Sequence, residues 1–240
     1  MASRIFFAAS MSALLLAAAA HAQSSPDYAA IVAAPDRSAA DRKIDANRAP
    51  AQWLAFLGIK PGMTVLDVFD VNGYKSELMA RAGAKVYAQN SERAYARVKD
   101  LLEPRLKTPA GANIVSIVRP IDDPAPPGVQ LDLVTFFFAY HDITYLGVDR
   151  PKMLKAIYAA LKPGAYFIMG DWSAKPGAGT SVVRTLHRSD EALVRSEIEA
   201  AGFRLVGEGD FLRHPEDKRD THSHMANHVD AYVLKFQKPD

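Results

Sequence analysis

VLDVFDVNGY, residues 65 to 74, reads as a hydrophobic strand running directly into a turn. At such a strand-to-helix turn a nucleotide-binding fold carries several glycines, because glycine takes left-handed dihedrals without strain and lets a ligand approach the backbone. Here Gly73 stands alone. The stretch therefore raises the fold and the functional question together: the architecture looks like a cofactor scaffold, and the turn is short of the residues such a scaffold uses.

Working outward, apolar residues recur at helical spacing from Ser38 to Leu57, and Gly58 provides a stop. Strand-like runs follow at Met63 to Phe69, Lys85 to Ala88, Asn113 to Val118, Leu131 to Phe138, Ala165 to Met169, Phe203 to Phe211 and Val229 to Phe236. Helical patterns separate them at Tyr74 to Ala82, Ser91 to Leu106, Asp149 to Leu161 and Asp190 to Ala201. Strands alternating with helices through short connections predict an α/β fold, an open parallel sheet with helices on both faces. In such a sheet ligands bind beyond the carboxyl ends of the strands, so the residues after each strand are the ones to question.

The chain has 240 residues, a formal net charge of +2 and no cysteine. Thiol nucleophiles, redox dithiols and thiolate metal sites are excluded. The charge balance gives no basis for nucleic-acid binding. The opening MASRIFFAASMSALLLAAAAHA, with Arg4, a short apolar run and an Ala20-His21-Ala22 end, predicts a signal peptide over residues 1–22. An N-terminal helical segment (23–57) and an α/β domain (58–240) then follow. No later run is long enough for a membrane anchor, so a periplasmic or secreted location is expected.

Two phrases, GIKPGMTVLDV (58–68) and LKPGAYFIMGDW (161–172), resemble the first and fifth strands of class I S-adenosylmethionine-dependent methyltransferases, and AGFRLVGEGDF with DAYVLKFQKP resembles their last two. DANRAP, KVYAQNSE, YHD, SAKPGAG and TLHRSDEALV are similar to a group of exported proteins described as predicted methyltransferases. The resemblance covers nearly all of the chain after residue 22. It implies a three-layer Rossmann-like fold with a seven-stranded, mostly parallel sheet whose last strand is antiparallel.

The family's D-x-G-x-G-x-G turn maps onto Asp67, Phe69, Val71 and Gly73, so two of three glycines are replaced. Phenylalanine and valine adopt positive φ only at a cost, and the benzyl group stands where cofactor would lie. At the end of the second strand, Gln89 and Asn90 replace the family's ribose-binding acid. If S-adenosylmethionine binds, Asp67, Gly73, Gln89 and Asn90 are the residues that contact it. These substitutions, together with export away from the cytoplasmic supply, lead to the expectation that no cofactor is used.

The strand ends nonetheless carry chemistry. FFFAYHD offers Tyr140, His141 and Asp142, MGDW offers Asp171 and Trp172, and TLHRSDE offers His187 and Arg188. These are ingredients of general acid/base catalysis, with His141, His187 or Asp171 as base and Tyr140 or Arg188 stabilising negative charge. Phe69, Tyr74 and Trp172 suit a small aromatic substrate. Asp142, with Asp45 and Arg48 from the preceding helix, provides polar contacts. The resulting expectation is a cofactor-independent lyase cleaving a C–C or C–O bond, for example releasing formaldehyde from a phenolic compound. The alternatives are a methyltransferase with a divergent turn, or a non-catalytic binding protein. His222, His224 and His228 have spacing suitable for metal ligands but lie in a polar stretch without a helical pattern, so no metal is expected.

Overall fold

The computed structural model describes residues 25–225 and 228–240. The predicted signal peptide lies outside them. Three short helices, α1 (Tyr28–Ala33), α2 (Ala39–Asp45) and α3 (Pro50–Leu57), precede the sheet. The single helix expected over 38–57 is two. The break falls at Ala49, where the following proline disfavours the right-handed helical region and the residue takes φ 42°. Pro50 then starts α3, and Gly58 caps it in the left-handed region.

The chain continues through β1 (Thr64–Val68), α4 (Tyr74–Arg81), β2 (Lys85–Asn90), α5 (Glu92–Leu106), β3 (Ile114–Val118) and β4 (Leu131–Phe137). The rest is α6 (Tyr140–Tyr145), α7 (Arg150–Ala160), β5 (Leu161–Trp172), α8 (Glu191–Ala200), β6 (Arg204–Gly209) and β7 (Ala231–Gln237). The strand order is β3-β2-β1-β4-β5-β7-β6, with β7 antiparallel to both neighbours and the other pairings parallel. Ser91 and Asp190, the first residues of two of the helical patterns, act as caps, their side chains accepting from the N–H groups of Ala94 and Ala192. The helix α6 was not anticipated, and β5 begins four residues before the expected strand.

The two faces of the sheet make two cores. Leu66, Val134 and Phe136 pack with α6, α7 and α8 residues, whereas Val65, Leu133 and Phe137 pack with α3 and α4 residues. In-register pairing of Val65 with Leu133 and of Leu66 with Val134 sends each neighbouring pair to one face. Strand order reverses between β1 and β4, which opens a crevice at their carboxyl ends.

Candidate functional site

The crevice begins with the turn after β1. Phe69 (φ 53°), Val71 (φ 68°) and Gly73 (φ 82°) all lie in the left-handed region. The steric objection to Phe69 and Val71 is thus overcome in the fold. Two amides from β2 hold the strained backbone: Gln89 Oε1 accepts from the Phe69 N–H at 2.9 Å, and Asn90 Oδ1 accepts from the Val71 N–H at 3.0 Å. Gln89 also donates to the Arg119 carbonyl at 2.8 Å. Gln89 and Asn90 are therefore fully buried braces of the turn, and the role of ribose contacts is corrected to that. A Cβ at Gly73 would lie 2.7 Å from Arg105 Cδ, so a larger residue there would have to displace that side chain.

Asp67 is buried beneath the turn. It accepts from Thr135 Oγ1 at 3.1 Å, and Lys75 Nζ lies 3.6 Å away. Ser76 Oγ is 3.1 Å from Asp67 Oδ2 and 3.0 Å from Asp70 Oδ1. One hydroxyl proton serves only one of these contacts, so the second requires a protonated carboxyl. Burial raises Asp67 to about 8; Lys75 opposes the rise and Asp70 adds to it. Asp70 Oδ2 is buried and has no partner among the described residues.

A cavity of about 360 Å³ lies beyond this turn, walled by Arg48, Trp53, Phe69, Asp70, Tyr74, Phe138, Asp142 and His224. Phe69 forms part of the wall while packing against the core, and the space is not closed. A second cavity of about 400 Å³ adjoins it, sharing Ile44, Arg48 and His224 and adding Trp172, His214 and His228. Between them, the Arg48 guanidinium lies 3.7 Å from the Phe138 ring centre and 4.5 Å from that of Trp172. Its Nη1 is buried with no partner among the described residues, and burial lowers its pKa to about 10. Asp45, named beside it in the sequence, belongs to a different network: it takes two bonds from Arg37, at 2.7 and 2.8 Å, and one from the Tyr74 hydroxyl at 2.7 Å. Tyr74 is thereby held in the wall, with its hydroxyl facing α2.

Of the rim residues, His141, Asp142, Asp171 and His187 lie together, whereas Tyr140 and Arg188 point elsewhere. His141 is buried, with Nδ1 2.7 Å from Asp171 Oδ1 and its backbone N–H 2.8 Å from Asp171 Oδ2. Asp171 also accepts from the Trp172 N–H and from Ser189 Oγ. Burial alone would lower the His141 pKa, but the charge and hydrogen bond of Asp171 outweigh it and the pKa is raised. The His187 ring is 5.1 Å from that of His141, and its pKa is lowered, first by burial and then by His141. Tyr140 does not face the crevice. It lies in the opposite core and bonds to Glu197, itself clamped by Arg150, so its assignment as a charge stabiliser is corrected. Arg188 is likewise buried in structural bonds to Asp217, the Ser173 carbonyl and the Thr221 carbonyl. Sequence reasoning missed Asp70 and Ser189. The first stands between two substituted glycine positions in DVFDV and the second directly after His187-Arg188, and adjacency to those motifs was the available signal.

No protein-family model matches the sequence, and no curated relative does. Solved structures do. A SAM-dependent methyltransferase from Aquifex aeolicus is 19% identical over 83% of this chain and 97% of its own, with a TM-score of 0.59. Magnesium protoporphyrin IX methyltransferase (ChlM) from Synechocystis PCC 6803, solved with bound SAH, is 18% identical over 83% of each chain at a TM-score of 0.52. The glycopeptide N-methyltransferase MtfA, complexed with SAH, is 14% identical over 79% of this chain and 86% of its own at 0.58. These likenesses contradict the expectation of a cofactor-free lyase and favour its methyl-transfer alternative. The chain has the class I S-adenosylmethionine-dependent methyltransferase fold, as its sequence resemblance implied.

Proposed function

We propose that this protein transfers a methyl group from S-adenosylmethionine to a small acceptor held in the paired cavities. The observation that carries the reading is the turn after β1: its three mapped glycine positions keep left-handed backbone although two of them are not glycine. Strain of this kind persists only where the surroundings hold it, and a brace of two buried amides is what holds it here. The residues present fit the cofactor on one further count. Asp70 lines the cavity, and its buried Oδ2 has no partner among the described residues, leaving an acceptor that a hydroxyl or ammonium group could reach only if the wall gives slightly. The backbone of 69–73, with Asp70 and Lys75, would hold the cofactor, which supplies an electrophilic methyl group.

The acceptor side is built from Arg48, Phe138 and Trp172. A desolvated guanidinium lying over two aromatic rings binds an anion strongly, and the rings suit a flat apolar body. A small aromatic acid or phenolate meets both requirements. A hydroxyl acceptor must lose its proton as it is methylated, and the imidazoles behind Asp142 and His224 are placed to promote that loss. In the test, methyl-labelled S-adenosylmethionine is incubated with the protein and a panel of aromatic acids and phenols. Label should appear in at least one acceptor, and Arg48→Met should raise the acceptor KM at least tenfold with a smaller change in kcat. The absence of transfer across the panel, together with no cofactor binding, would remove the reading.

A further inference from the structure

Four imidazoles and a carboxylate converge at one edge of the crevice. His141 comes from the start of α6, Asp142 follows it, His187 lies in the loop before α8, and His222 and His224 lie on the turn before β7. Asp142 Oδ1 is 3.6 Å from His141 Nε2 and 3.8 Å from His187 Nδ1, and one donor atom from each of the three lies within 4.8 Å of the others. The His187 ring lies 4.4 Å from that of His222 and 5.5 Å from that of His224.

We propose that His141, Asp142 and His187 form a binding site for a divalent transition metal of the zinc class, with His224 as a fourth ligand. Donors around a tetrahedral zinc ion at about 2.0–2.2 Å sit roughly 3.3 Å apart, so the two carboxylate–imidazole separations need close by about half an ångström and the imidazole–imidazole pair, within 4.8 Å, by up to about 1.5 Å. Imidazole and carboxylate together suit zinc or iron, whereas magnesium and calcium prefer all-oxygen shells.

Three features distinguish this cluster from a chance surface grouping. First, His141 Nδ1 faces the fully buried Asp171 at 2.7 Å, which fixes the tautomer with its proton on Nδ1 and the Nε2 lone pair towards Asp142. A carboxylate behind a histidine is the usual outer support of a metal ligand. Ser189 Oγ, 2.7 Å from both Asp171 Oδ2 and the Tyr232 hydroxyl, locks that carboxylate in turn. Second, His187 is held at φ 49°, a left-handed conformation that is costly for a histidine and fixes where its ring can reach. Third, His222 Nδ1 accepts the His224 backbone N–H at 3.2 Å, which leaves its proton on Nε2. That contact excludes His222 and selects His224, whose side chain lies in the wall of both cavities. With His224 as the fourth ligand the tetrahedral shell is complete, the arrangement of a structural zinc site. Metal binding does not depend on methyl transfer.

The test uses the full chain, stripped with a chelator and dialysed against Zn2+ or Co2+ alone, without S-adenosylmethionine. Elemental analysis should give one ion per chain, and Co2+ should produce visible d–d absorption. His187→Ala and Asp142→Asn, both at partly exposed positions, should each weaken binding at least tenfold, the loss typical of a disrupted metal site. His141→Ala should do the same; if it fails to fold because Asp171 loses its partner, the other two variants decide. His228→Ala, whose ring lies beside His214, should bind as the parent does. No stoichiometric binding by the parent, or binding at parental strength by both His187→Ala and Asp142→Asn, would overturn the proposal. So would a loss in His228→Ala equal to theirs. Metal retention in a protein that fails to bind cofactor would count against methyl transfer and leave the site standing.

Discussion

Val71 sits at φ 68° and is partly exposed, so its β-branched side chain carries left-handed strain without the compensation of deep burial. That strain is about 1–2 kcal/mol for an L-residue, and glycine there gives back roughly half through chain entropy. Val71→Gly is therefore expected to stabilise the fold by about 0.5–1 kcal/mol, read as a rise of a few degrees in Tm. Arg48 makes the opposite kind of statement. A buried guanidinium with an unpartnered Nη1 gives the free protein little, so Arg48→Met should leave the unfolding free energy unchanged or raise it by about 1 kcal/mol while anion binding is lost. Asp67 carries a pH signature. Its pKa is raised in the folded state, so between the ordinary carboxylate range and about 8 the native protein holds a proton that the unfolded chain has released. Stability contributed by this group therefore falls as pH rises through that window and is level above it. Asp67→Asn should make chemical-denaturation stability less dependent on pH across the same interval. An unchanged slope would show Asp67 ionised throughout.

The elements were largely legible from hydrophobic period and caps. Strands β1, β2 and β4, the glycine stop at Gly58 and the caps at Ser91 and Asp190 all fall where pattern and residue type put them. The failures share a cause, which is that contacts distant in sequence outweighed local preference. Phe69 and Val71 disfavour positive φ in isolation, yet amides about twenty residues later impose it. The sequence ends a helix at Leu161 and starts the strand at Ala165, but Leu161 pairs with Leu131 and draws the strand back. Gln89→Ala tests the brace directly. It leaves the Phe69 N–H and the Arg119 carbonyl without their partner, a cost of about 1–3 kcal/mol in stability, and cofactor affinity should fall with it. Gln89→Glu lacks the amide donor to Arg119 and should not restore it.

At the scale of the molecule, the strand order and the reversal between β1 and β4 locate the crevice, and the residues anticipated at its rim do meet there: His141, Asp142, Asp171, Trp172 and His187. Tyr140 and Arg188 were misassigned because sequence adjacency to a rim residue does not determine which way a side chain leaves the backbone. Tyr140 follows β4 into the opposite core, and Arg188 turns towards Asp217. Among the described residues no helix is long and apolar enough to cross a membrane. The architecture thus joins a braced left-handed turn, a pair of cavities divided by the Arg48 guanidinium, and a histidine cluster at their edge. Titration of the purified, metal-stripped protein with S-adenosylhomocysteine in a calorimeter tests the central claim most directly. The account predicts one site per chain with a dissociation constant in the micromolar range, weakened at least tenfold by Gln89→Ala. No heat of binding up to millimolar ligand, from a protein folded by circular dichroism, would contradict it.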